Sequence, residues 1–224
     1  MSVHDFVYTF ISSFITLFPV VNPIGSAFIV NGSLGDLDDT QRKSAIRKII
    51  FNCLLISVGS LVAGHLILLL FGLAIPVIQV GGGIIICKTG WDWLSDSQKA
   101  NITTTHDGIH SVNTNDVEKQ LFYPLSFPIS IGPGTISVIF TLMATASVKN
   151  DLLKTGINYG IIILVIVILL IIFYFLLKEG PRITKKLGHS GNLIINKLIA
   201  FITFCIGIQI IITGISKIFH LTIL

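Results

Sequence analysis

The stretch Gly156–Leu177 reads GINYGIIILVIVILLIIFYFLL and contains no charged residue. About 20 apolar residues in a helix cross the hydrocarbon core of a bilayer, so this block is long enough to span it. It is not an isolated case. Of the 224 residues, 52% are hydrophobic and only 12% charged, and the mean hydropathy is +0.88. A soluble domain carries roughly twice that charged fraction. Similar blocks place six transmembrane helices at roughly 6–30, 43–72, 76–95, 121–146, 156–177 and 193–219. The fold class expected is therefore all-α, a polytopic membrane protein with the lipid bilayer as its surroundings.

Local signals sharpen these boundaries. The second span follows Gly35-Asp36-Leu37-Asp38-Asp39-Thr40, where acidic side chains favour the positive end of a helix dipole. The third starts at Pro76, which has no N–H to leave unpaired in a first turn. It closes at Trp91 and Trp93, rings that prefer the headgroup boundary. No Lys or Arg precedes Arg42, so the first apolar run lacks the basic region of a secretory signal and is expected to stay as a membrane helix. Residues 96–120, rich in Ser, Thr, Asn and Asp, read as a cytoplasmic linker between the halves 1–95 and 121–224.

Of the 15 Lys+Arg, set against 11 Asp+Glu, eight sit in two short clusters between apolar runs, Arg42/Lys43/Arg47/Lys48 and Lys178/Arg182/Lys185/Lys186. That is the pattern of cytoplasmic loops, not of a nucleic-acid surface, and no nucleic-acid partner is expected. Both termini are then expected outside, on the periplasmic side of a bacterial inner membrane.

The two halves echo each other. Span 1 contains Phe18-Pro19-Val20-Val21-Asn22-Pro23-Ile24-Gly25-Ser26, and span 4 contains Phe127-Pro128-Ile129-Ser130-Ile131-Gly132-Pro133-Gly134-Thr135. With three spans per half, the second copy enters from the opposite side, giving two inverted three-helix repeats with helices 1 and 4 broken. Proline removes a backbone donor and displaces the carbonyl four residues earlier, so Pro23 and Pro133 should interrupt their helices at membrane depth. Freed backbone groups survive there only if protein or a wet cavity satisfies them. Two such breaks facing each other would offer helix N-termini to a carboxylate and free carbonyls to an ammonium or a cation. Asn22, Pro23, Gly25, Ser26, Gly132, Pro133, Gly134, Thr135 and Ser137 are the candidate binding residues. The plainer account of each break is a packing kink.

These same motifs, with Val80-Gly81-Gly82-Gly83 and Pro124-Leu125-Ser126, resemble the MarC family of bacterial inner-membrane proteins over essentially the whole chain. The resemblance implies a six-span protein and, from members described as neutral amino acid transporters, a small neutral solute moved with cation coupling. Where the family usually has Ala-Gly-Gly, this chain has Val80-Gly81-Gly82, preceded by Gln79.

Other chemistry is sparse. His65 lies within span 2, and Lys88 precedes Asp92 by one helical turn, a spacing that favours a pair. No carboxylate lies deep in a span, so coupling to H+ has no evident carrier, and Na+ held by backbone oxygens stays open. No other cofactor and no metal site is expected. Asn52, Gln79 and Gln209 are read as interhelical hydrogen-bonding groups. Cys53, Cys87 and Cys205 stand alone in apolar segments, away from both prolines, which argues against a thiol-relay enzyme. Gly81-Gly82-Gly83 reads as a helix contact and not a phosphate cradle. The expected function is secondary transport of a small neutral amino acid or similar zwitterion by alternating access. The alternative is a non-transporting accessory membrane protein, and no enzymatic activity is expected.

Overall fold

The computed structural model describes residues 3–35, 37–95, 119–148 and 151–219. The described residues form seven helical segments: α1 (Val3–Val21), α2 (Pro23–Ser33), α3 (Asp39–Phe71), α4 (Ile75–Ser95), α5 (Leu121–Ser130), α6 (Pro133–Ala146) and α7 (Leu152–Phe219). All but two residues of the expected linker 96–120 lie outside the described residues, as does Asp36.

Each boundary has a local cause. In α1, Phe6, Phe10, Phe14 and Phe18 recur every four residues, and the spacing lays their rings along one face with centroids 6.4, 6.4 and 5.6 Å apart. The helix stops at Asn22, which adopts a left-handed conformation (φ 45, ψ 63), and α2 restarts at Pro23. Ahead of α3, the Asp38 carboxylate accepts from the N–H groups of Thr40 (2.9 Å) and Gln41 (2.7 Å), while Gln41 Oε1 accepts from Asp38 N at 3.3 Å. This reciprocal cap satisfies donors that the first turn leaves open. Gly72, with φ 61, ends α3 in the left-handed region that glycine reaches without strain.

α7 is capped by Asp151, whose Oδ1 accepts from Lys154 N at 2.9 Å. That backbone bond, then the Lys154 ammonium beside it, holds the Asp151 carboxyl below the usual carboxylate range. A carboxyl whose folded-state pKa is depressed stabilises the fold above its unfolded pKa, and the contribution is lost as pH falls through the folded value. Asp151→Asn is therefore expected to flatten the stability loss on acidification, read as thermal unfolding in detergent across pH 2 to 5. A curve unchanged from that of the unsubstituted chain would exclude this role.

Contacts fix the direction of each segment. The guanidinium of Arg42, at the start of α3, bonds the Asn31 side chain and donates to Leu177 O at 3.1 Å. Asn158 donates to Ala146 O at 2.9 Å, so α7 begins beside the end of α6 and reaches the face bearing the basic cluster by Leu177. Further along, Thr203 donates to Pro19 O at 3.2 Å, although Leu169 already lies beside Leu17 and Val21. A straight helix would carry Thr203 about 50 Å beyond Leu169. α7 must therefore fold back on itself, and its final portion runs antiparallel to α4. Lys197 Nζ donates to Trp93 O (2.9 Å) and Leu94 O (2.6 Å), and Gly214 meets Pro76 at the other end.

Glycine makes the α4–α7 contact close. A Cβ on Gly207 would lie 2.7 Å from the backbone N of Cys87 and 2.9 Å from Gly83 O, and one on Gly90 would lie 2.7 Å from Phe204 N. In lipid, where burying apolar surface gains little, such small-residue contacts are what bring helices together. Gly81 is not part of it, since a Cβ there meets nothing within 4 Å. Of the expected triple-glycine contact, Gly83 packs on α7 and Gly82 on Ser137 of α6.

Four helical stretches are long and apolar enough to cross a membrane: His4–Ser33, Asp39–Gly64, Leu152–Gly180 and Ala200–Phe219. The pair α5 and α6, bent by 59°, makes a fifth if counted as one span. The sequence-based expectation was six. The one missing is 76–95, which does form a helix, α4, but is diluted by Gln79, four glycines, Lys88 and Asp92. The last expected span, 193–219, is apolar enough only from Ala200. Large side chains such as Leu70 (81% exposed) and Leu152 (90%) point outward, as the surface of a bilayer-embedded bundle requires.

Candidate functional site

The first break is built by Asn22. Its Oδ1 accepts from Gly25 N at 3.0 Å, capping α2, and the side chain is buried. A Cβ on Gly25 would fall 2.2 Å from Asn22 Nδ2, so glycine is what allows the cap to fold inward. Ser26 Oγ lies within hydrogen-bond reach of two carbonyls, donating to Val21 O (3.1 Å) and Ile129 O (3.3 Å).

The second break is longer. α5 is a wide, π-type helix in which Tyr123 and Phe127 have extended backbone angles. Ser126 donates to Leu121 O (2.6 Å) and Ser130 to Leu125 O (2.7 Å), each five residues back, so hydroxyls add side-chain bonds to carbonyls of this irregular helix. Ile131 and Gly132 are extended, and α6 restarts at Pro133 without a side-chain cap.

Each break's orphaned carbonyl is closed by a hydroxyl from another segment. Pro23 cannot bond the carbonyl four residues before it, Pro19 O, and Thr203 of α7 donates to it instead. Pro133 leaves Ile129 O in the same position, and Ser26 donates to it from the first break. Ser26 is among the residues expected at the site and Thr203 is not, although Thr203 is a hydroxyl residue within the otherwise apolar run 198–208.

A cavity of about 400 Å³ lies where these elements meet. Ser26 comes to it from α2, and Gly132, Pro133, Gly134 and Thr135 from the second break. Asn22, Pro23 and Gly25 do not line it. They form the cap that positions Ser26. Ser137 also points elsewhere, donating to Ile78 O at 2.8 Å and filling the space above Gly82. The uncapped start of α6 therefore borders the cavity, with the positive end of its dipole there.

α4 supplies the opposite wall with Lys88, Thr89, Asp92 and Trp93. Lys88 and Asp92 pair at 3.1 Å, as their spacing predicts, and both are largely exposed at the rim. Below the cavity, Val21 and Thr135 also line a seam of only about 10 Å³, otherwise made of apolar residues and Ser57. The space is thus wide towards the basic face and shut towards the other.

The remaining polar groups divide. Asn52 bonds across helices to Ser126 Oγ at 3.3 Å, and Gln209 is exposed. Gln79 is 1% exposed, yet its Oε1 has no hydrogen-bond partner. The side chain of His65 lies outside the described residues. All three cysteines are free, and none lines the cavity. Cys87 lies against Phe204 O.

Fold and site together define a polytopic α-helical membrane protein whose interrupted helices meet beside a cavity of mixed polar and apolar lining. The chain belongs to the MarC family of integral membrane proteins, whose family model matches residues 7–219. It is 26% identical over 205 residues to the UPF0056 inner membrane protein MarC of Salmonella arizonae, covering 91% of this chain and 92% of the relative. The proteins of the same name from Escherichia coli (strain SMS-3-5) and Citrobacter koseri are also 26% identical, over 216 and 211 residues, with the same coverage. No solved structure matches.

Proposed function

We propose that this chain is a secondary transporter that carries a small neutral amino acid, or a similar zwitterion, through the cavity between its two breaks. The observation that carries the reading is the meeting of Ser26 with the uncapped start of α6 around about 400 Å³ of space. That volume lies near the lower end of the roughly 300–1,000 Å³ of small-molecule sites. The carboxylate of the solute seats at the N-terminus of α6, against the backbone N–H groups of Gly134 and Thr135. Thr135 and Ser26 supply the neutral hydroxyls.

The contacts support an arrangement of six crossings in two inverted halves. α1–α2 runs towards the basic face, α3 away from it and α4 back, and then α5–α6 and the two arms of α7 repeat the series in the opposite sense. On this reading α4 crosses the membrane despite its modest apolarity because α7 covers it. Both termini lie on the outer side, and the wide side of the cavity faces the cytoplasm. Transport then needs the Val21–Thr135 seam to open as the cavity closes, driven by a proton or sodium gradient.

Purified protein in liposomes is expected to accumulate labelled glycine or alanine under one of these gradients. Ser26→Ala is expected to lower uptake about tenfold, because it leaves Ile129 O without its cross-break donor. Wild-type vesicles that fail to move any small neutral amino acid under either gradient would defeat the proposal.

A further inference from the structure

A second cavity, of about 360 Å³, lies between α3 and α5, lined by Arg47, Lys48, Phe51, Asn52, Leu121 and Phe122. Its two ends differ in chemistry. Arg47 and Lys48 bring two cations, and among the described residues that line the space none is acidic. Phe51 and Phe122 bring aromatic walls that are 58% and 49% exposed. Lys48, Phe51 and Asn52 stand three and four positions apart, and Arg47 stands one turn before Phe51, so α3 presents them together. From Phe51 the exposed apolar surface continues along α3 through Leu55 (56%), Val62 (66%) and Leu66 (68%). A cationic pocket thus opens at the top of a long greasy track, at the end of the span where the basic cluster sits.

We propose that this cavity binds an anionic phospholipid, with Arg47 and Lys48 on its phosphate and an acyl chain lying over Phe51, Phe122 and Leu55. Charge complementarity and the track each select against other occupants. A free phosphate makes no use of the aromatic walls, a zwitterionic lipid brings a second cation towards Arg47 and Lys48, and an acidic soluble partner leaves the apolar track uncovered. Basic pockets between helices on the cytoplasmic side suit such headgroups, where anionic lipids are held by juxtamembrane Lys and Arg. The site abuts the second break, because Asn52 in its wall bonds Ser126, and Ser126 in turn bonds Leu121 O. An occupied pocket therefore braces the helix that carries Ile129 to Ser26.

The test is native mass spectrometry of the full chain in detergent, with phosphatidylglycerol and phosphatidylcholine of equal chain length. A retained phosphatidylglycerol adduct is expected, weakened about 30-fold by Arg47→Gln with Lys48→Gln and preserved by Arg47→Lys with Lys48→Arg. The distant pair Lys154→Gln with Lys217→Gln is expected to leave the adduct intact. Phe122→Ser keeps both charges and is expected to weaken long-chain phosphatidylglycerol while leaving a dihexanoyl form unaffected. Equal retention of phosphatidylcholine, full displacement by inorganic phosphate, or adducts indifferent to both the Gln pair and Phe122→Ser would each overturn the proposal.

Discussion

Gly207→Val is expected to be among the most damaging single substitutions in this protein. Its Cβ would sit 2.7 Å from Cys87 N and 2.9 Å from Gly83 O, both backbone atoms that no rotamer change can move aside. The final arm of α7 would have to withdraw from α4, and with it would go the alignment of Thr203 on Pro19 O. Overpacking of this kind costs about 1–3 kcal/mol, and a clash with backbone belongs at the upper end. Thermal unfolding in detergent reads the loss. Gly160→Val provides the matched control, since a Cβ at Gly160 meets nothing within 4 Å. Equal stability of the two variants would show that the α4–α7 contact is not close.

Asn22→Ala should rank beside it. Asn22 combines two requirements: a left-handed backbone (φ 45) and a side-chain oxygen for Gly25 N. Alanine loses the cap, worth about 0.5–2 kcal/mol. It also meets the left-handed region at about 1–2 kcal/mol, where asparagine is tolerated. The sum is about 1.5–4 kcal/mol. Asn22→Gly keeps the backbone freedom and gives up only the side chain, so it should recover a measurable part of that loss in the same unfolding experiment. If glycine proves as damaging as alanine, the backbone conformation is not what asparagine provides.

Much of this could be read from residues alone. Apolar blocks without charge reveal helices in lipid because a bilayer offers no partner for an exposed backbone group. Pro23 and Pro133 announced the interruptions because the missing N–H and the ring clash are properties of the residue, not of its surroundings. Lys88 and Asp92 followed from helical spacing in the same way.

The candidate site was only half legible. Asn22, Pro23 and Gly25 looked like binding groups because polar and small residues beside a break resemble a pocket wall, whereas Asn22 caps α2 through Gly25 N and none of the three lines the cavity. Ser137 was assigned to the site by its neighbours in sequence, and the helix turns it towards Ile78 and Gly82 instead. Thr203, Thr89 and Trp93 were not among the expected site residues because they reach the cavity from other helices. The count of apolar spans departs from six because Gln79, four glycines, Lys88 and Asp92 dilute α4, although it forms a helix as expected.

By itself, then, the sequence determined that the chain enters a bilayer, where its helices run and where two of them break. Those outcomes depend on side-chain apolarity and on proline, which act within a few residues of where they stand. Only the tertiary structure decided which hydroxyl closes which orphaned carbonyl, which residues look into the cavity and which side of it is shut. Those depend on distances between segments more than a hundred residues apart, as Ser26 to Ile129 and Thr203 to Pro19 are, and such distances are set by how the helices pack.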